Sequence, residues 1–255
     1  MNTMSNRLVI FGLLGTVTHL WCAEGTAEIG PKQPFEVTNT ERLPFAPGGM
    51  IRVDGTYGYL AVEGWDEPEV EITVIKSTNG FYEPSQKQQE EQRFARVRVV
   101  TERRSEKELA ISTIPPIRKS VFFFPRPLLS SPRRGVTPDY RIRVPRDSHL
   151  VVHHDNGYVW VSDINGDVEV RSHTGDMIVM LPDPGPYVID ARTGLGSVSS
   201  DLIGKGHRYM AGTHFAFSGS APARRIYLRM GRGCITIKSG PSSGPVGKDA
   251  WPPPA

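Results

Sequence analysis

The chain has 255 residues and a mass of 28.2 kDa, with a formal net charge of +3, so one to two domains with a sizeable core are expected. Glycine and proline together make 48 residues, about 19% where roughly 12% is average, which is turn-rich without reaching disorder. Two cysteines exclude a disulfide-dense scaffold, and the mild positive charge is not that of a dedicated nucleic-acid binder, so no nucleic acid is expected as partner.

In chain order, residues 1–23 come first. Arg7 precedes a mostly apolar run from Leu8 to Cys22, then small residues, which is the secretory pattern. The run is too short for a confident membrane span of about 20 residues. Cleavage after Cys22, Ala23, Gly25 or Ala27 each leaves an imperfection, so the site stays open. Residues 24–34 read as a linker and 35–238 as one β-strand-repeat domain.

The domain opens with Gly49 and Gly58, nine residues apart, each followed by alternation: Met50-Ile51-Arg52-Val53 and Tyr59-Leu60-Ala61-Val62. Glu69 to Ile75 is a further strand. Residues 76–139 depart from the compact repeat as an insertion. Within it, Pro84 to Phe94 reads as a short surface helix and Arg96 to Glu102 as a strand. Residues 85–134 carry twelve Lys/Arg against five Asp/Glu, so the rest of the chain is net acidic. Arg118, Lys119, Phe122, Phe123, Phe124, Arg126, Arg133 and Arg134 form a Phe-rich, proline-broken stretch without an acid. It reads either as a cap on an open β stack or as a contact for a partner or an anionic membrane surface.

Tyr140 to Val144 is a strand, and then the repeat is clearest. Gly157, Gly166 and Gly175 are nine apart and follow Asn156, Asn165 and Thr174. Period two places Val159, Val161, Val168, Val170, Met177 and Val179 on one face. Tyr158, Trp160, Asp167, Glu169, Arg171 and Asp176 take the other. Apolar anchors sit seven residues after a glycine at Trp65, Ile164 and Ile203. Weaker copies follow Gly196 and Gly233, with Ile226 to Met230 as another strand. Cys234 reads as a small buried hydrophobe. Residues 239–255 form a Pro/Gly/Ser tail expected to be disordered.

The fold is therefore expected to be all-β. Two assemblies obey the same parity. Strand–turn units could coil into a solenoid, or hairpins through Asn165-Gly166 could set Val161 opposite Val170 in an antiparallel β-sandwich. The run Gly55-Thr56-Tyr57-Gly58-Tyr59-Leu60-Ala61-Val62-Glu63-Gly64-Trp65-Asp66 resembles the opening of the putative-adhesin family of bacterial β-strand-repeat domains. So does the stretch from Tyr140-Arg141-Ile142-Arg143-Val144-Pro145 through Gly157, Gly166 and Gly175 to Ser199-Ser200-Asp201. These domains are similar to head domains of putative autotransporter adhesins. The resemblance covers about residues 35–240 and implies a right-handed single-stranded β-helix. It brings no established catalytic residues.

Tests for chemistry return little. Gly240-Pro241-Ser242-Ser243-Gly244 matches a nucleophile elbow but lies in the tail, away from any strand-to-helix turn. His153, His154, Asp155 and His173 are weighed as metal ligands and read instead as turn histidines, so neither metal nor cofactor is expected. Asp163, Asp167, Glu169 and Asp176, with Arg171, could serve a polysaccharide lyase or hydrolase, but such residues line any solvated β face. Tyr158 and Trp160 could offer a platform to a carbohydrate. The expected function is thus non-enzymatic: an exported protein, periplasmic, extracellular or on the cell surface, structural or adhesion-like at the bacterial envelope. A carbohydrate-binding or carbohydrate-cleaving protein on the same scaffold is the alternative. Its partner is an envelope component or anionic surface.

Overall fold

The computed structural model describes residues 33–82, 87–95, 97–114, 136–182, 185–219 and 224–240. In chain order the elements are β1 (Gln33–Pro44), β2 (Met50–Trp65), β3 (Glu69–Tyr82), α1 (Lys87–Ala95), β4 (Arg98–Ser105), β5 (Glu108–Ile114), β6 (Val136–Pro145) and β7 (His149–Ser162). Then come β8 (Val168–Leu181), β9 (Tyr187–Leu195), β10 (Val198–Ser200), β11 (Lys205–Tyr209), β12 (Gly212–Ser218), β13 (Arg224–Arg232) and β14 (Ile235–Ser239). The fold is all-β apart from α1, which occupies the expected helical stretch. Phe94 of α1 packs with Val97 and Val136 in a small satellite core.

The strands form one open sheet in the order β1-β3-β6-β2-β7-β8-β13-β9-β12-β11, with β4, β5, β10 and β14 off this path. Its middle is parallel, from β6 and β2 through β7, β8 and β13 to β9. Antiparallel pairs join β1 to β3, β3 to β6, β4 to β5, and β12 to both β9 and β11. The hairpin through Asn165-Gly166 is not formed. Val152 pairs with Val170 and Val161 with Val179, both in parallel register. The nine-residue glycine spacing is thus half of an 18-residue structural repeat.

That register forces the strands to bend. A straight strand the length of β7 would span about 46 Å. Only five residues join β7 to β8, so Ser162 and Val168 lie at most about 22 Å apart. Yet β8 starts beside the start of β7, so β7 must turn back within its own length. The bend falls at Gly157, where φ is 132°, and its equivalent in β8 is Gly175, at 126°. Few residues other than glycine adopt such angles. These glycines also stack: a Cβ on Gly157 would overlap the Gly58 carbonyl oxygen, and one on Gly175 that of Gly157. The column continues through Gly233 and Gly196 in the same manner.

Aspartates secure the corners. Asp176 Oδ1 accepts from the Cys234 backbone N–H at 2.9 Å, and Asp167 Oδ1 from that of Arg225 at 2.8 Å. Asp139 does the same for Tyr59 at 3.1 Å. Asp139, Asp167 and Asp176 are thus inter-strand ties.

The expected inner face holds. Val159, Val161, Val168, Val170, Met177 and Val179 are all buried. Parallel register lines them up across strands, as in Val53–Val152–Val170–Leu228 and Val62–Val161–Val179–Ile237. Each such side chain contributes about 1.5–3 kcal/mol by leaving water. Residues 98–114 of the expected insertion join the main sheet, with β5 parallel to β2 and Leu109 and Ile111 in the principal core. There Thr113 Oγ1 donates to the Tyr140 hydroxyl at 2.7 Å, and burial pushes that phenol up to about 12.

Two expectations of burial are overturned. Ile203 is 97% exposed, because it falls in the connection between β10 and β11 and not on a strand with an inner face. Cys234 is exposed too, since Ile235 and Ile237 take the inner positions after the Gly233 corner. Its Sγ accepts a hydrogen bond from Ser197 Oγ at 3.4 Å.

Candidate functional site

Parity and register together write columns onto the outer face. On the first half of each repeat, Asp54, His153, Arg171, Arg229, Arg192 and His214 are successive lateral neighbours across β2, β7, β8, β13, β9 and β12. Their inward neighbours Val152, Val170, Leu228 and Ala191 are buried, which fixes the outward direction of the column. At about 4.8 Å per strand it runs some ~24 Å. A second column beside it contains Arg52, Val151, Glu169, Tyr227 and Asp190.

The two columns hold each other in place. Arg229 donates to both Asp190 carboxylate oxygens at 2.6 and 3.2 Å, and its guanidinium lies 3.7 Å from the Tyr227 ring centre. Arg171 approaches the same ring to 5.1 Å and pairs with Glu169 at 2.7 Å. His214 Nε2 meets Asp190 at 2.8 Å, and His153 Nδ1 meets Asp54 at 3.1 Å. Burial would raise the Asp190 carboxyl, but bonds from Arg229 and His214 hold it below the usual carboxylate range. Arg192 stacks over Tyr209 at 5.9 Å.

A cleft of about 810 Å³ opens where this face crosses β2, β7 and β8, lined by Arg52, His153, His154, Glu169, Arg171 and His173 among others. His154 differs from its neighbours. It is 3% exposed, turned inward, with Nε2 donating to the Gly58 carbonyl at 3.1 Å. Gly55 leaves it room: a Cβ there would come within 2.8 Å of Nδ1. Burial lowers its pKa below the ordinary 6.5, against an upward pull from the Gly58 and Asn156 backbone and from Asp155. The unfolded chain therefore binds a proton at a pH where the folded chain does not. Stability should be full above about pH 6.5 and fall as the pH drops towards the depressed folded value. Urea midpoints at about pH 7.5 and about pH 5.5 test this, and the difference should shrink in His154→Gln. An equal difference in that variant would contradict it.

The other sequence candidates are scattered. Tyr158, 49% exposed, and Trp160, half-buried, lie beyond the Gly157 corner, on the other half of the outer face. They do not join the cleft. Arg118, Lys119, Phe122, Phe123, Phe124, Arg126, Arg133 and Arg134 lie outside the described residues. The weighed carboxylates are tied apart: Asp163 is buried against Arg146 at 3.5 Å, Asp167 and Asp176 cap different corners, and Glu169 pairs with Arg171. His154 pairs with Ser172 across the strands, and parity turns His173 outward. No group of three His, Cys, Asp or Glu among the described residues could hold a metal ion. Sequence reasoning missed the Arg171–Arg229–Arg192 column. Its signal would have been an 18-residue offset, but β13 enters between β8 and β9 out of chain order.

Among solved structures, the chain is similar to a putative cell adhesion protein from Clostridium sporogenes ATCC 15579, at 15% identity and TM-score 0.45, over 80% of this chain and 100% of that one. It is also similar to a putative adhesin from Bacteroides fragilis NCTC 9343, at 13% identity and TM-score 0.30, over 80% and 97%. A putative adhesin from Parabacteroides merdae ATCC 43184 follows at 8% identity and TM-score 0.22, over 80% and 96%. No family model and no curated protein matches the chain.

Proposed function

We propose that this is an exported, non-enzymatic β-repeat protein with a structural or adhesion-like role at the bacterial envelope, and that each 18-residue repeat is one turn of a coil. The observation that carries this reading is the outer face itself. In-register strands extend one charged column over six neighbours, which suits contact with an extended partner. Glu169 and Asp190 are engaged in ion pairs and Asp167 and Asp176 in backbone caps, which supports binding over acid–base chemistry. The apolar run from Leu8 to Trp21 supports export.

Fractionation of cells carrying a C-terminally tagged protein, with crosslinking and N-terminal sequencing, tests the reading. The protein should appear in an envelope or extracellular fraction, crosslinked to an envelope component, with a mature start between Ala23 and Glu28. Protein retained in the cytosol with Met1 intact would overturn it.

A further inference from the structure

We propose that the outer column from His153 to His214 binds a linear polysaccharide that carries carboxylates along its length, laid across the strands. This deepens the adhesion-like reading by naming what the face holds. It rests on that face being a binding surface, and not on where the protein resides.

The first ground is spacing. Arg171, Arg229 and Arg192 sit on adjacent strands, one cation about every 4.8 Å, a step close to the length of one pyranose ring. A polymer with one carboxylate per sugar can meet them in succession, whereas a small anion can use only one or two. Arg171 binds Glu169 through Nε and Arg192 makes no ion pair among the described residues, so both keep terminal guanidinium nitrogens for a ligand carboxylate, while Arg229, held by Asp190, contributes charge between them.

The second ground is the composition of the face. Glu169 and Asp190 stand beside the arginines and accept hydrogen bonds, so the surface can recognise hydroxyl groups as well as carboxylates. Those same carboxylates find hydroxyl donors along a sugar chain but few along a phosphodiester backbone, which favours a polysaccharide over nucleic acid. The balance still favours an anion at one end: β9, β11, β12 and β13 contain seven Lys/Arg and a single carboxylate, Asp190.

The third ground is preorganisation. Tyr227 lies between Arg171 and Arg229, and Asp190 anchors Arg229 through two oxygens. Little side-chain freedom remains to be lost when a ligand arrives. The cleft over β2, β7 and β8 gives the chain a trough at one end, with Arg52 and His173 on its walls.

The test is calorimetric titration of the full-length protein with oligogalacturonides of one, three and six residues. A fully methyl-esterified hexamer and a single-stranded DNA hexamer serve as comparators. The acidic hexamer should bind at least about tenfold more tightly than the monomer, since further charge-assisted contacts form along the column. Methyl esterification, and separately the Arg171→Gln/Arg192→Gln variant, should each weaken it about tenfold. Tyr158→Ala, beyond the corner, should leave it unchanged. The ester comparison needs no variant, so the proposal stands or falls even if the double substitution perturbs folding. No binding of the hexamer, equal affinity for monomer and hexamer, indifference to esterification, or tighter binding of DNA would each overturn it. Envelope location could still hold after such a result, so the two readings fail separately.

Discussion

Gly175→Ala should lower the melting temperature far more than Gly206→Ala, another single-methyl addition to a strand. At Gly175 the added Cβ would overlap the Gly157 carbonyl oxygen in the neighbouring strand, and φ is 126°. Nothing lies within 4 Å of a Cβ on Gly206. The overlap involves backbone on both sides, and the Gly157 oxygen cannot withdraw without disturbing Gly58, on which it is stacked. Strain and displacement together should cost about 3 kcal/mol or more, or roughly 6–12 °C in a chain of this size. Thermal melts of the two variants decide the matter. Equal melting temperatures would mean that the stacked glycines do not constrain the corner.

The second large effect is expected at Val161. Its side chain is 1% exposed, between Val62 and Val179 in one inner column. Val161→Asp would place a carboxylate there without a partner, costing about 3–5 kcal/mol by analogy with a broken buried ion pair. Trp160→Ala, one residue away on the outer face, should cost markedly less, because Trp160 is only half-buried. Urea denaturation of both variants measures the order. If Trp160→Ala were the more damaging, the inner face would be displaced by one residue.

The alternation that fixes Val161 inward is local, which is why the buried face was legible in the sequence. Side chains alternate whatever the neighbouring strand does, and Val159, Val161, Val168 and Val170 needed no tertiary information. Register is different. Gly157, Gly166 and Gly175 look equivalent along the chain, but only Gly157 and Gly175 stack; Gly166 packs against the Ser148 backbone at another corner. Nothing local distinguishes a nine-residue hairpin from an 18-residue parallel repeat, because both keep the same inward parity.

The same gap hid the candidate site. Arg229 and Arg192 lie 58 and 21 residues beyond Arg171 in sequence, yet the three are successive neighbours because β13 pairs with both β8 and β9. A sequence scan found exposed aromatics at Tyr158 and Trp160, since they adjoin a clear glycine signal. It could not see that the cationic column lies before the corner. Cys234 was misjudged for a related reason: it directly follows the Gly233 corner, where the inner positions are reset to Ile235 and Ile237.

Everything said of the outer columns depends on the parallel register of β7 and β8. Two double-cysteine variants, made with Cys22 and Cys234 replaced by serine, test it. Val151→Cys/Glu169→Cys joins residues that are lateral partners in this register. Trp160→Cys/Arg171→Cys joins residues that would be opposite in a hairpin through Asn165-Gly166. Adjacent strands bring Cα atoms within disulfide range, about 4.4–6.8 Å. Mild oxidation followed by mass spectrometry should show the Val151–Glu169 link forming readily and the Trp160–Arg171 link failing. The opposite pattern would contradict the register, and with it the cationic column.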